Sequence, residues 1–136
     1  MKVVLDTNVL VSGLLNPSGP PAQILGLVLV GKLTVLYDNR VVTEYREVLY
    51  RPKFQFKSDT VEPWLELISA EGEYVVAEPS TAPVTDEDDR VFYEVASSGD
   101  ASWLITENPA HYPQERMVVT PSVFLRNYRN LSSKKA

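Results

Sequence analysis

The chain contains no cysteine, which removes thiol nucleophiles, zinc–thiolate sites and disulfide scaffolds together. Histidine occurs once, at His111, so a metal site must be built from carboxylates or that single imidazole. No apolar run approaches the ~20 residues that a helical membrane span requires; the longest covers residues 24–30. A positively charged leader with an apolar stretch and a small-residue cleavage site is also missing. The expected location is the cytoplasm, with no membrane partner. Basic residues are in deficit, 13 Lys and Arg against 18 Asp and Glu, for a net charge of −5. Such a balance argues against broad, non-specific adhesion to nucleic acid. It leaves room for a local basic patch, or for metal ions that carry the missing positive charge. What is present is ordinary for a folded protein: 136 residues, 44% hydrophobic and 23% charged. One domain fits that length, and it buries roughly two-thirds of the surface exposed when unfolded.

Strands and helices alternate along the chain. Lys2-Val3-Val4-Leu5 is continuously apolar after its first residue, as expected of a strand covered on both faces. Asp6-Thr7-Asn8 can then cap a helix over residues 9–15, which Asn16-Pro17-Ser18-Gly19-Pro20 breaks. Pro21 suits the first turn of a helix over 22–29. A strand is expected at 34–37, followed by a helix whose Val41, Val42, Tyr45, Val48 and Leu49 form an apolar stripe ending before Pro52. Residues 59–70 predict a fourth helix, with Pro63 near its start. Residues 74–76 predict a strand, 78–85 a loop, and 86–97 a helix with Val91, Phe92, Val95 and Ala96 turned inward. Strands at 103–105 and 117–119 and a last helix from Pro121 complete the pattern. This is an α/β chain: a single doubly wound domain with a mostly parallel five-stranded sheet and helices on both faces. The domain spans residues 1–131, and 132–136 read as a frayed end.

Ligands of open α/β sheets bind outside the carboxyl ends of the strands. Asp6 stands at such an end, as do the acidic turn Asp86-Glu87-Asp88-Asp89 and the turn Thr106-Glu107-Asn108; Glu44 lies early enough in its helix to reach the same rim. Each has a plainer reading. An Asp after a strand caps a helix, a helical Glu is commonly a solvated charge, and acids at a helix start answer its dipole. Within the acidic run, Asp89 shares the inward stripe of Phe92 and Ala96, while Asp88 is rotated away by about 100° of helix. Arg90 and Glu94 are spaced as an exposed pair. Carboxylates from distant positions that meet in one crevice repel unless something positive lies between them, and hard ions such as Mg²⁺ or Mn²⁺ prefer oxygen ligands. Basic residues interleave with aromatics at Arg46, Arg51, Lys53, Phe54, Phe56 and Lys57, which suits a single-stranded nucleic acid. It equally suits a solvated helix end with two packed rings. Arg126, Arg129, Lys134 and Lys135 form a second basic stretch, and His111 reads as a loop histidine with no metal-binding companion.

Four blocks in order, Val3-Val4-Leu5-Asp6-Thr7-Asn8-Val9-Leu10-Val11-Ser12, Thr43-Glu44-Tyr45-Arg46-Glu47-Val48-Leu49 with Arg51-Pro52-Lys53-Phe54, Asp88-Asp89-Arg90-Val91-Phe92 and Leu104-Ile105-Thr106-Glu107-Asn108, resemble the PIN-domain family. The likeness runs on to Val118-Val119-Thr120-Pro121-Ser122-Val123-Phe124-Leu125. It is greatest to the branch of toxin components of bacterial and archaeal toxin–antitoxin systems. The resemblance implies a metal-dependent ribonuclease that holds one or two Mg²⁺ or Mn²⁺ ions and leaves 5′-phosphate and 3′-hydroxyl ends. Its partners would be an RNA substrate, an antitoxin protein and a second copy of the chain. Carried over position by position, the family's acids are Asp6, Glu44 and Asp89, and Asn108 stands where many members have a fourth. Asn108 can still offer a neutral oxygen, yet the loss of one charge weakens a second metal site. Asn8 and Thr106 become supports that orient Asp6, and Arg46, Arg51 and Lys53 the substrate contacts.

Other functions of this fold class fail on particular residues. Neither a dinucleotide-binding glycine turn nor a phosphate-cradling glycine–lysine loop comes after the first strand, where Asp6-Thr7-Asn8-Val9 stands instead. Phosphoaspartyl phosphatases need a second Asp where Asn8 is found. The alternative is a PIN-like domain that no longer cuts and serves as an RNA-binding or protein-interaction module, an idea that Asn108 motivates. Retention of the other three acids weighs against it, because clustered carboxylates cost stability without an ion to hold.

Overall fold

A computed structural model describes residues 1–135 and the side chains of residues 1–131. Five strands, β1 (Lys2–Leu5), β2 (Thr34–Tyr37), β3 (Glu73–Tyr74), β4 (Trp103–Ile105) and β5 (Val118–Val119), form one sheet in the order β3-β2-β1-β4-β5. Every pairing is parallel, with Val3 opposite Val35 on one side and Trp103 on the other, and Leu5 opposite Ile105. The helices are α1 (Thr7–Leu15), α2 (Pro20–Leu29), α3 (Asn39–Leu49), α4 (Ser58–Glu71), α5 (Arg90–Ser98) and α6 (Pro121–Lys135). Short 3₁₀ turns occupy Pro52–Phe54, Glu87–Asp89 and Pro109–His111.

β1 is central, and Val3, Val4 and Leu5 are fully buried, the consequence of a strand with cover on both faces. α5 packs on β1, β2 and β4, α6 on β4 and α2, and α1 against α2 and α3. From β1 the chain winds outward through β2 and β3, then crosses back to β4 and β5. The direction therefore reverses between β1 and β4, and a crevice opens there at their carboxyl ends. Asp6 comes directly after β1 and Thr106 directly after β4, one on each side of that point.

Several local expectations are corrected. α2 starts at Pro20, because two prolines fill its first positions after Gly19. β3 covers only Glu73–Tyr74; the Val75 N–H still donates to the Tyr37 carbonyl, at 2.8 Å, but Val76 is exposed. Pro63 lies beyond the first turn of α4, so its missing N–H leaves the carbonyl of exposed Asp59 to solvent. α6 extends through residues 132–135, where a frayed end is expected, and Ala136 lies outside the described residues. Gly72, which ends α4, is set by close approach: a Cβ there would stand 2.3 Å from the Ile68 carbonyl oxygen and 2.5 Å from that of Val35.

Candidate active site

Asp6 leaves β1 at the point where the backbone must stop pairing and start a helix. Its N–H still donates to the Ile105 carbonyl at 3.0 Å, and its side chain caps α1 through a long 3.5 Å contact from the Asn8 N–H to Oδ1. The residue is 6% exposed. Its other carboxylate oxygen, Oδ2, accepts hydrogen bonds from Thr106 Oγ1 and from the Tyr112 hydroxyl, both at 2.9 Å. Burial pushes the Asp6 carboxyl above its usual range, and these donors pull it back only in part. Beneath it, the fully buried Tyr45 of α3 donates to the Leu5 carbonyl at 2.6 Å.

Glu44 is half-buried on α3. Burial raises its carboxyl first, then the negative charges of Asp88, Glu47 and Asp6, while Arg51 lowers it. Asp89 closes the 3₁₀ turn before α5 and is raised to about 6, by burial and then by the charges of Asp6 and Asp86; His111 opposes the rise. His111 Nδ1 lies 3.6 Å from Asp89 Oδ2. Asp6, Glu44 and Asp89 thus share one electrostatic neighbourhood. Asp88 is exposed where Asp89 is half-buried, and its charge still reaches Glu44. Residues 87–89 form a 3₁₀ turn, so the α-helix expected from 86 begins at Arg90.

The turn after β4 ties the crevice together. Thr106 is fully buried and its Oγ1 accepts from the Asn108 N–H at 3.0 Å and from Asn8 Nδ2 at 3.5 Å. Asn8 Oδ1 accepts in turn from the Glu107 N–H at 3.2 Å. The Asn108 side chain makes no hydrogen bond among the described residues. Glu107 turns to α1, where its Oε1 accepts from Ser12. Tyr112 is the residue that sequence reasoning misses, and His111 stands closer to the acids than its reading as a plain loop histidine implies. The signal for both is their place just downstream of Asn108 on the same rim.

The basic residues divide. Arg46 Nη1 is engaged by both oxygens of Glu62, at 2.7 and 2.6 Å, which removes it from the free charges. Arg51 and Lys53 are exposed and, among the described residues, make no ion pair; Arg51 is the one felt by Glu44. Phe54 and Phe56 stack with ring centres 5.7 Å apart, and Lys53 Nζ lies 5.1 Å from the Phe54 ring. Arg90 and Glu94 are not the exposed pair that their spacing suggests. Glu94 is buried and accepts from Arg40 Nη1 at 2.8 Å and the Ser80 N–H at 2.7 Å, while Arg90 binds Glu87 and the carbonyls of Ser80 and Ala82.

The donor set is oxygen throughout, which suits a hard divalent cation. Asp6 Oδ1 keeps open lone pairs, and a cation would relieve the repulsion that adds to burial in raising Glu44 and Asp89. Among the described residues, no three His, Cys, Asp or Glu side chains close up tightly enough to enclose an ion. An ion there would be held by separate carboxylate oxygens with water completing its shell, the usual manner of Mg²⁺.

A 32% identical stretch of 104 residues, 74% of this chain and 67% of the relative, aligns with an uncharacterized protein of Methanocaldococcus jannaschii. The PIN domain family model matches residues 2–110, a span that runs from β1 to the turn carrying Asn108 and holds Asp6, Glu44 and Asp89. With a five-stranded parallel sheet, acids at its carboxyl edge and a family match over most of its length, the chain belongs to the PIN domain family.

Proposed function

We propose that the chain is a Mg²⁺- or Mn²⁺-dependent endoribonuclease that cleaves single-stranded RNA, acting as the toxin of a toxin–antitoxin pair. PIN domains are in general nucleases, that is, hydrolases. The finer reading is supported by one observation: Glu44 of α3 and Asp89 of the turn before α5 each feel the charge of Asp6, which follows β1 at the switch point of the sheet. Like charges held so cost stability, and a chain gains from that cost where a cation is to be captured.

In this reading Asp6 and Asp89 hold the ion. Glu44 either holds it or accepts a proton from the attacking water. Asn108 adds a neutral oxygen, and Asn8 and Thr106 keep Asp6 oriented. When bound, the cation supplies the positive charge that eases deprotonation of water and stabilises the departing oxygen. Arg51 and Lys53 receive the RNA backbone beside Glu44. The toxin role, an antitoxin partner, a homodimer and a cytoplasmic setting rest on the likeness of the sequence blocks to that branch of the family.

A second reading has its own observation. Asn108 replaces an acid, and the remaining acids form an open set, which favours a PIN domain that binds RNA or protein without cutting. The two separate on incubation of the purified chain with 5′-labelled single-stranded RNA, in Mn²⁺ or in chelator, beside Asp6→Asn and Asp89→Asn. Cation-dependent products that vanish in both variants are expected. Equal products in every lane would come from a contaminant and end the proposal, whereas RNA retention with neither cleavage nor Mn²⁺ uptake would establish the binding module.

A further inference from the structure

The two oxygens of Asp6 are treated differently by their surroundings. Oδ2 takes two hydroxyl donors at 2.9 Å, Thr106 Oγ1 and the Tyr112 hydroxyl. Among the described residues, the hydrogen bond placed on Oδ1 is the long 3.5 Å contact from the Asn8 N–H, and the Thr7 N–H has only a small effect on the carboxyl. The direction of the Thr106 bond is forced, because its oxygen already accepts from the Asn108 N–H and from Asn8 Nδ2, so its one proton goes to Asp6. Tyr112 is 5% exposed, and its only hydrogen bond to a side chain among the described residues ends on Asp6. A buried phenol that donates to a buried carboxylate, from a 3₁₀ turn whose backbone is itself hydrogen-bonded, fixes that carboxylate about its last torsion. The preceding residue, His111, faces Asp89 at 3.6 Å. Two consecutive residues, at the end of one 3₁₀ turn and its exit, thereby touch two acids that are 83 positions apart in the chain, Asp6 and Asp89.

We propose that Tyr112 is a positioning residue of the site: by occupying Oδ2, its hydroxyl commits Oδ1 of Asp6 to the crevice as the oxygen that meets a divalent cation. The proposal rests on the cation-dependent reading above. Without the hydroxyl, Oδ2 keeps a single donor, the carboxylate turns, and both oxygens compete for the same place. Groups that orient a metal ligand in this way are worth about ten- to a hundredfold in affinity.

The test is Mn²⁺ binding by calorimetry to the full chain, Tyr112→Phe and Tyr93→Phe, with folding checked by circular dichroism. Tyr93 is the matched control, a buried phenol that donates to a different carboxylate, Glu115, at 2.5 Å. The expected result is about tenfold weaker binding or worse in Tyr112→Phe and unchanged binding in Tyr93→Phe. Equal affinity in Tyr112→Phe and the unaltered chain overturns the role of Tyr112 and leaves the cation site standing. Equal losses in both variants overturn it as well, as a loop effect. No uptake by the unaltered chain ends the cation reading, and this inference with it. Should Tyr112→Phe fail to fold, 3-fluorotyrosine in the intact chain replaces it: Mg²⁺ must move the Tyr112 fluorine signal and leave that of Tyr93 in place, and a stationary Tyr112 signal refutes the proposal.

Discussion

His111 Nδ1 stands 3.6 Å from Asp89 Oδ2, so the single histidine of the chain faces the carboxyl group that burial, Asp6 and Asp86 hold at about 6. The imidazole is among the influences that pull this group down. In the metal-free protein, the Asp89 carboxyl carbon is expected to titrate near 6 by NMR. Its midpoint should move upward in His111→Ala, because the remaining neighbours all favour the protonated form. A downward move would mean that His111 is not an attractive partner.

The same shift makes a stability statement. Asp89 binds its proton more tightly folded than unfolded, so its contribution is fully present below the ordinary value of 3.8 and is lost as pH rises through about 6. In chelator, Asp89→Asn should therefore flatten the fall of Tm between those two values and melt a few degrees above the unaltered chain at pH 7. Cleavage should be abolished in the same variant, the usual exchange between stability and function at a charged site. Parallel melting curves across the window would show that Asp89 carries no such repulsion.

Away from the acids, Arg40 holds the loop before α5 in place. Its guanidinium reaches Asp38 at 2.8 Å and Glu94 at 2.8 Å, both carboxylates nearly buried, and Glu94 also accepts the Ser80 N–H. Arg40→Ala leaves two buried charges with reduced compensation. Since Arg40 is itself half exposed, water recovers part of the loss, and about 2–3 kcal/mol of destabilisation is expected, below the full cost of breaking a buried pair. Urea denaturation should show a lower midpoint at unchanged slope. Combined with Glu94→Gln, the loss should be smaller than the two single losses added, as the partners share one network.

Periodicity makes the helices and the strands along the chain legible, since a run such as Val3-Val4-Leu5 suits a two-sided buried strand. Asp6 and Thr106 are legible for a related reason, because each stands at the carboxyl end of such a strand. Contacts made across the fold are not legible in the same way. Spacing pairs Arg90 with Glu94, but tertiary structure draws Glu94 inward to Arg40, 54 positions away. The acidic run reads as the start of an α-helix, yet its residues 87–89 wind as a tighter 3₁₀ turn. Tyr112 and Asp6 are 106 positions apart, and a tyrosine in a loop carries no local pattern that announces a carboxylate partner.

Near Glu44, the exposed cations offer a test of where RNA would lie. Arg46 is spent on Glu62, which takes it at 2.7 and 2.6 Å and also accepts from Tyr50, while Arg51 and Lys53 remain open and Arg51 already draws on Glu44. Each phosphate neutralised on a single strand adds ~0.7 to the slope of log affinity against log salt. With Asp6→Asn as a non-cutting background, fluorescence anisotropy should show that Arg51→Ala and Lys53→Ala each weaken single-stranded RNA binding and reduce that slope by ~0.7. Arg46→Ala should leave the slope unchanged, because its charge is answered within the protein. If Arg46→Ala instead lowers the slope as much as the other two, the strand crosses α3 itself, and the ledge beside Phe54 is not its path.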